Sequence, residues 1–224
     1  MALILNIDTA VQSASVCLAD GDTVLKTLVN PVEKDSAAWL HIAIETVLKE
    51  NKLKPGELNA IAVSAGPGSY TGLRVGMATA KGLCYALSLP LITINTLQMM
   101  AAAAMEVSAS LLCPMIDARR MEVFTALYNK NLNEVHPAFN LVLTSDYFND
   151  YLDRATVAFF GNGSKKAADI ITHPSALFVD VQATAANMVN LSSKEFDDGH
   201  FSDLAYSEPF YGKDFHSPSI KKIY

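Results

Sequence analysis

Apolar and polar positions along the chain sort into short runs and helical repeats. Residues 2–7 form a β-type apolar run that stops at Asp8 and Thr9. Residues 13–19 follow, then a turn at Asp20, Gly21 and Asp22, then residues 23–29. Three short runs joined by turns predict an antiparallel meander. Over residues 36–51, Ala37, Leu40, Ile44, Val47 and Leu48 recur at helical spacing, with Asp35 or Ser36 placed to cap. Lys54, Pro55 and Gly56 break that helix before an apolar strand at 59–63. A glycine-rich stretch, residues 64–76, then runs into a helical pattern that reaches about Ser88. Residues 91–94 are a further strand, and Thr96 opens an alanine-rich helix to about Val107.

The second half repeats this order. Residues 111–116 are apolar, Asp117 to Arg120 turn, 121–128 alternate as a strand does, and 134–143 make a third strand. Thr144 is placed to cap a short helix to Asp153. Residues 156–160 lead into Gly161, Asn162 and Gly163 and then a helix, and 183–191 read as helix. No internal sequence repeat accompanies the repeated order. Meander, helix, strand, glycine turn and helix, taken twice, predict an α/β protein with the two-lobed actin-like ATPase fold (ASKHA, ribonuclease H-like). Each lobe is a mixed sheet with flanking helices. Residues 1–107 are the expected N-terminal lobe and 108–224 the C-terminal lobe. The polar and aromatic tail, from about Asp197 and containing Pro209 and Pro218, is expected to lie extended on the surface.

The glycine stretch is the centre of this plan. A strand, a glycine turn and a helix together present backbone N–H groups to a neighbour. Gly66 and Gly68 allow unusual backbone angles, Pro67 fixes the turn between them, and Ser69 or Thr71 is placed to cap the helix. Gly76 and Gly82 then sit inside the helix, where each costs roughly 1 kcal/mol against alanine. Gly72, Gly76, Ala80 and Leu83 share one face; Val75, Ala78, Gly82 and Tyr85 share another. A glycine on each face points to two close neighbours, the protein's own sheet and a second domain or chain. The alternative is tight packing within one chain.

Composition narrows the chemistry. Of 224 residues, 50% are hydrophobic and 18% charged, enough for a sizeable core in one large or two small domains. A net charge of -6 argues against direct nucleic-acid binding, and the basic clusters are only the pairs Arg119-Arg120, Lys165-Lys166 and Lys221-Lys222. Cys17, Cys84 and Cys113 are an odd, scattered set with apolar neighbours, as expected for buried thiols in a reducing compartment. No leader or membrane-length apolar run is visible, so a cytoplasmic protein without membrane contact is expected. The five histidines, His41, His136, His173, His200 and His216, lie more than a dozen residues apart, so none forms the i, i+4 pair of a helical metal site. Neither a nucleophile elbow nor a phosphate-loop lysine is present. Catalytic residues, metal ligands and an intrinsic cofactor are therefore not expected. One opening to nucleotide remains. Asp8 and Thr9 occupy the turn where an actin-like ATPase meets phosphate and metal, and Gly161 and Gly163 would lie opposite, a candidate site for weak ATP or ADP binding. The alternative is that Asp8 merely closes its own turn.

The run AGPGSYTGLRVGMATAKG at residues 65–82 closely resembles the signature of the TsaB (YeaZ) family, the dimerisation subunit of the bacterial tRNA threonylcarbamoyladenosine transferase complex. Ile7, Asp8 and Thr9, residues 90–97, residues 116–119 with Glu122 and Val123, and the tail at 208–215 are similar to further landmarks of that family. The likeness is specific over slightly more than the first half and thin beyond it, the tail excepted. It implies an actin-like fold and a non-catalytic scaffold for threonylcarbamoylation of the adenosine next to the anticodon. It implies pairing with a metal-bearing catalytic paralogue, TsaD, an ATPase subunit, TsaE, a homodimer in the paralogue's absence, and tRNA reached only through the complex. It places the pairing surface on this helix and the preceding one. That role is carried onto Gly72, Gly76, Ala80 and Leu83, with the motif loop Gly66, Pro67, Gly68, Ser69, Tyr70, Thr71 and Arg74 holding the helix. Asp35, where many relatives carry histidine, and Ala10, where a small hydroxyl is common, depart from the pattern and count against nucleotide or metal binding. The competing functions are a stand-alone metal-dependent peptidase of the glycoprotease type, for which the paired histidines are missing, and a nucleotide-binding regulator.

Overall fold

The computed structural model describes residues 2–32 and 35–212; Lys213, Asp214, Phe215, His216, Pro218 and the Lys221-Lys222 pair lie outside them. The first meander is β1 (Leu3–Asp8), β2 (Ser15–Asp20) and β3 (Thr23–Val29), followed by α1 (Ser36–Glu50), β4 (Ala60–Ser64), α2 (Tyr70–Leu87), β5 (Leu91–Ile94) and α3 (Thr96–Ala103). The second half is β6 (Leu111–Asp117), β7 (Glu122–Asn129), β8 (Glu134–Val142), α4 (Asn149–Leu152), β9 (Val157–Phe160), α5 (Ser164–Ala168), β10 (Ala176–Phe178) and α6 (Val189–Asp197), with a 3-10 turn at Ala185–Met188. The strands form two five-stranded sheets, β3-β2-β1-β4-β5 and β10-β9-β6-β7-β8. In each, the meander pairs antiparallel, a fourth strand joins parallel to its first strand, and a fifth joins parallel to the fourth. This repeated topology is the two-lobed actin-like fold.

Strand alternation assigns the layers. On β1, Leu5 and Ile7 point with Val16, Leu18, Ile61 and Val63 into a core sealed by α1 and α2. On α1, Leu40, Ala43, Ile44, Val47 and Leu48 supply the apolar stripe, while Asp35 at its start makes no side-chain cap bond. On the opposite face, Ile4, Cys17, Ala62 and Ile92 join α3 and the second sheet's Leu112, Phe124, Tyr128 and Phe160 in one cluster that spans both lobes. A sheet with two apolar faces must bury both, and this shared layer covers the second. The three cysteines are buried and unpaired, and burial pushes the Cys84 thiol up to about 11 and Cys113 up to about 12, leaving both thiols protonated at neutral pH.

Four elements differ from the sequence pattern, one of them the unexpected strand β10. The alanine-rich helix ends at Ala103, short of Val107, and Lys130 Nζ caps the chain beyond it by donating to the carbonyls of Met105 and Val107. The helix foreseen from Thr144 contracts to Asn149–Leu152. The largest difference is the C-terminal part. Residues 185–197 are helical and pack chiefly on β1, β2, β5 and α3. Ala185 N donates to Ser15 Oγ at 2.8 Å, and Ser192 Oγ donates to Asn6 Oδ1 at 2.7 Å. The boundary expected at 107/108 falls between the two sheets, and residues 185–211 return from the second half to contact the first. The open face of the first sheet needs a cover, and Ala185, Met188 and Val189 supply it.

Gly82 occupies an exposed interior position of α2 with no heavy atom within 4 Å of where a side chain would begin. Gly82→Ala is expected to raise stability by about 0.5–1 kcal/mol, read as an upward shift of the urea midpoint at constant slope.

Candidate functional site

The motif loop is held by the chain itself. Gly66 has φ 112°, and Gly66 N donates to Thr96 Oγ1 at 3.0 Å while Thr96 N donates to the Gly66 carbonyl at 2.9 Å. Ser69 N donates to the Ala10 carbonyl at 2.8 Å, and Ser69, not Thr71, caps α2 by accepting from Gly72 N at 3.2 Å. The amides of Gly66, Ser69 and Gly72 are thus spent within the fold. Gly68 lies against Ala10. The first helical turn closes on the end of β1: Thr9 Oγ1 donates to the Gly72 carbonyl at 2.7 Å. A side chain on Gly72 would overlap the Thr9 carbonyl oxygen, and one on Gly76 would overlap the Thr9 hydroxyl.

This corrects the assignment of the pairing surface. Gly72, Gly76 and Ala80 are buried, and the two glycines face Thr9 and the first sheet, so none of the three is open to another chain. Only Leu83 of that set reaches an open surface. The other α2 stripe carries the free face. Arg74, Ala78, Gly82 and Tyr85 are exposed, Tyr85 at 83%. Beside it α1 exposes Ala38, His41 and Ile42, the last at 66%. His41, Ala78, Thr79, Gly82 and Leu83 line a shallow groove of about 330 Å³ between the helices. The sequence pattern offers Val75, Ala78, Gly82 and Tyr85 as the second stripe, of which Val75 is partly buried against the core, and it carries the role onto the stripe that is buried. The signal that separates them is charge: Arg74 shares a stripe with Ala78 and Gly82, whereas Leu73, Met77 and Cys84 accompany the buried glycines.

The nucleotide candidates are also closed. Asp8 is 0% exposed. Its Oδ1 accepts from Ser64 Oγ at 2.6 Å and from Ala10 N at 3.0 Å, and its Oδ2 has no partner. Burial lifts its pKa from 3.8 to about 6, with the Ser64 and Ala10 hydrogen bonds pulling the other way. Asp8 closes its own turn, the alternative raised above, and Thr9 has committed its hydroxyl to Gly72. At the other turn, Gly161 (φ 93°) abuts Met100 and the Met115 carbonyl. Gly163 N donates to that carbonyl at 3.0 Å, and a side chain on Gly163 would meet Ile116 and Val123. Asn162 Oδ1 accepts from Asp117 N at 2.8 Å. Within these turns the Thr9 hydroxyl and Gly163 N are committed to this chain's own carbonyls, and the side-chain positions of Gly161 and Gly163 are occupied by its own atoms. Among the described residues no group of three or more His, Cys, Asp or Glu side chains is placed to hold a metal ion, and no helix is long and apolar enough to cross a membrane.

Comparison with known proteins agrees with this architecture. The TsaD family model, described as tRNA N6-adenosine threonylcarbamoyltransferase, matches residues 29–206. The tRNA threonylcarbamoyladenosine biosynthesis protein TsaB of Bacillus subtilis is 34% identical over 143 residues, 62% of this chain and 62% of that protein. The protein of the same name from Escherichia coli is 26% identical over 216 residues, 93% of each chain. The chain therefore spans less than two thirds of the first relative and nearly all of the second. The structure of YeaZ from Pseudomonas aeruginosa superposes with a TM-score of 0.80 at 24% identity, covering 94% of this chain and 100% of that one, a likeness of fold. With a TsaD-type match over most of its length, TsaB-named relatives and a YeaZ fold, the chain belongs to the TsaB/YeaZ family.

Proposed function

We propose that this chain is the non-catalytic pairing subunit for threonylcarbamoylation of the adenosine next to the anticodon of tRNA. In this reading it docks on a metal-bearing catalytic paralogue of the TsaD kind through the exposed α1–α2 face. The same face closes a homodimer when the paralogue is absent, and TsaE and tRNA join through the complex in the cytoplasm. The observation that carries the reading is an exposed two-helix face with small residues at its groove; the turn at Gly161 and Gly163, packed against this chain's own residues, is consistent with it. Ala78 and Gly82 let a partner helix approach to the usual interaxial distance of about 8–10 Å. Ile42 and Tyr85 flank them with apolar area whose burial contributes about 25 cal/mol per Å². The names of the relatives supply the pathway.

The test is association of the full chain with the paralogue, measured by calorimetry and followed by a modification assay with and without this subunit. Ala78→Arg puts a cation on the groove at an exposed site, so the unfolding midpoint stays put. Affinity is expected to fall at least about tenfold. Unchanged affinity removes the α1–α2 face as the docking surface.

A further inference from the structure

We infer that residues 203–212 form a strap that holds the motif loop and α2 in the shape the partner chain docks on, with Tyr211 and Lys81 as positioning residues. The inference rests on the pairing reading above for the partner, and on contacts within this chain for the strap.

The strap leaves the first sheet at Ser202, whose N–H donates to the Leu91 carbonyl at 2.8 Å. Asp203 folds the next turn by accepting from Ala205 N at 2.8 Å and Tyr206 N at 2.9 Å. Lys81 reaches out of α2 and donates to the carbonyls of Ala205 at 3.1 Å and Ser207 at 3.0 Å. Phe210 N then donates to the Ala65 carbonyl at 2.7 Å, and the Phe210 carbonyl sits on the side of Gly66 where a side chain would be. Gly66 is therefore needed twice, for its positive φ and for this seat. Tyr211 finishes the clasp. Its hydroxyl accepts from Arg74 Nε at 3.1 Å, and its ring lies 4.9 Å from the Tyr70 ring. The Arg74 guanidinium lies 4.1 Å over Tyr70. Gly212 ends against the Phe124 ring of the other lobe.

Two features make this a clasp and not ordinary core. Leu204 packs partly buried on the first lobe's core, but Tyr206 is 84% exposed and Phe210 52%, so beyond Leu204 the hold consists of hydrogen bonds and ring contacts that open without global unfolding. Its anchor points also bracket the free stripe of α2. Arg74 begins the stripe of Ala78, Gly82 and Tyr85, and Lys81 adjoins Gly82. Loosening the strap frees the Arg74 side chain and the loop at the end of the docking face, and re-ordering them opposes binding.

The test uses the full chain with Tyr211→Ala, Tyr211→Phe and Lys81→Met. Amide hydrogen exchange at Phe210, Gly66 and Ser69 is measured in the chain alone, and partner affinity by calorimetry. Tyr211→Ala is expected to speed exchange at all three amides by about threefold to tenfold, the effect of losing a ring pair and a hydrogen bond, and to weaken partner binding by a similar factor. Lys81→Met does the same more weakly, and Tyr211→Phe, which keeps the ring, recovers part of the protection and affinity. Wild-type exchange at Gly66 and Ser69 in Tyr211→Ala overturns the strap. So does faster exchange with unchanged affinity, provided Ala78→Arg breaks pairing. If Ala78→Arg leaves pairing intact while Tyr211→Ala deprotects the loop, the docking face falls and the strap's hold on the loop stands.

Discussion

Alanine at Gly72 is expected to lower stability by on the order of 3 kcal/mol, a large effect for the addition of one methyl group. The added carbon would overlap the carbonyl oxygen of Thr9, a backbone atom. That carbonyl cannot swing aside cheaply. Thr9 Oγ1 is bound to the Gly72 carbonyl, and the next carbonyl, of Ala10, is bound to Ser69 N. Two backbones are cross-tied there, so relief requires α2 to lift from β1. Gly76→Ala meets the Thr9 hydroxyl instead, a side-chain atom with some freedom to rotate, and its expected cost is smaller, about 1–2 kcal/mol. Gly82→Ala has the opposite sign. Urea unfolding of the three variants orders them Gly72, Gly76, Gly82 from most to least harmful. The reverse order would mean that α2 packs by its other face, and the groove beside His41 would be core.

That series isolates what the sequence could and could not reveal. The meander of the first lobe is legible because its runs are short and a strong turn at Asp20, Gly21 and Asp22 separates two of them. The α1 stripe was legible because Leu40, Ile44 and Val47 keep period. The inward face of α2 was not, because a helical wheel fixes relative and not absolute direction, and both faces carried a glycine. Thr9, which fills the space above Gly72 and Gly76, lies 63 residues from Gly72, and nothing local announces the contact. The same limit hid the return of α6. Ser192 reaches Asn6 across 186 residues, a choice made by the uncovered face of the first sheet. The strand β10 is only Ala176–Phe178, too short to leave a period. At Asp8 local chemistry allowed both an open phosphate turn and a closed one. The buried Ser64 hydroxyl on Asp8 and the Gly72 carbonyl on Thr9 engage both side chains within the fold, and both belong to elements outside the turn.

Asp8 carries the second large effect, a loss of stability as pH rises. The unfolded carboxyl releases its proton near 3.8 and the folded one near 6, so between those values the folded chain binds the extra proton. Its contribution to stability is full below about pH 4, declines from pH 4 to 6, and stays lost above that. A shift of this size corresponds to about 3 kcal/mol, and the full burial of Asp8 leaves no solvent to screen it. The physical source is Oδ2, a buried carboxylate oxygen with no donor. Asp8→Asn keeps an acceptor for Ser64 and Ala10 and removes the charge. It is expected to raise stability at pH 7 by about 2 kcal/mol and to flatten the profile between pH 4 and 6. Urea midpoints of wild type and variant across pH 4–8 read the difference, and parallel profiles would show that Asp8 titrates as an ordinary surface acid. Partner affinity adds a second axis. If Asp8 serves only to close the turn beneath the motif loop, the stabilised variant pairs as tightly as wild type. A variant that folds better and pairs worse would give the buried carboxylate a task in the assembled complex.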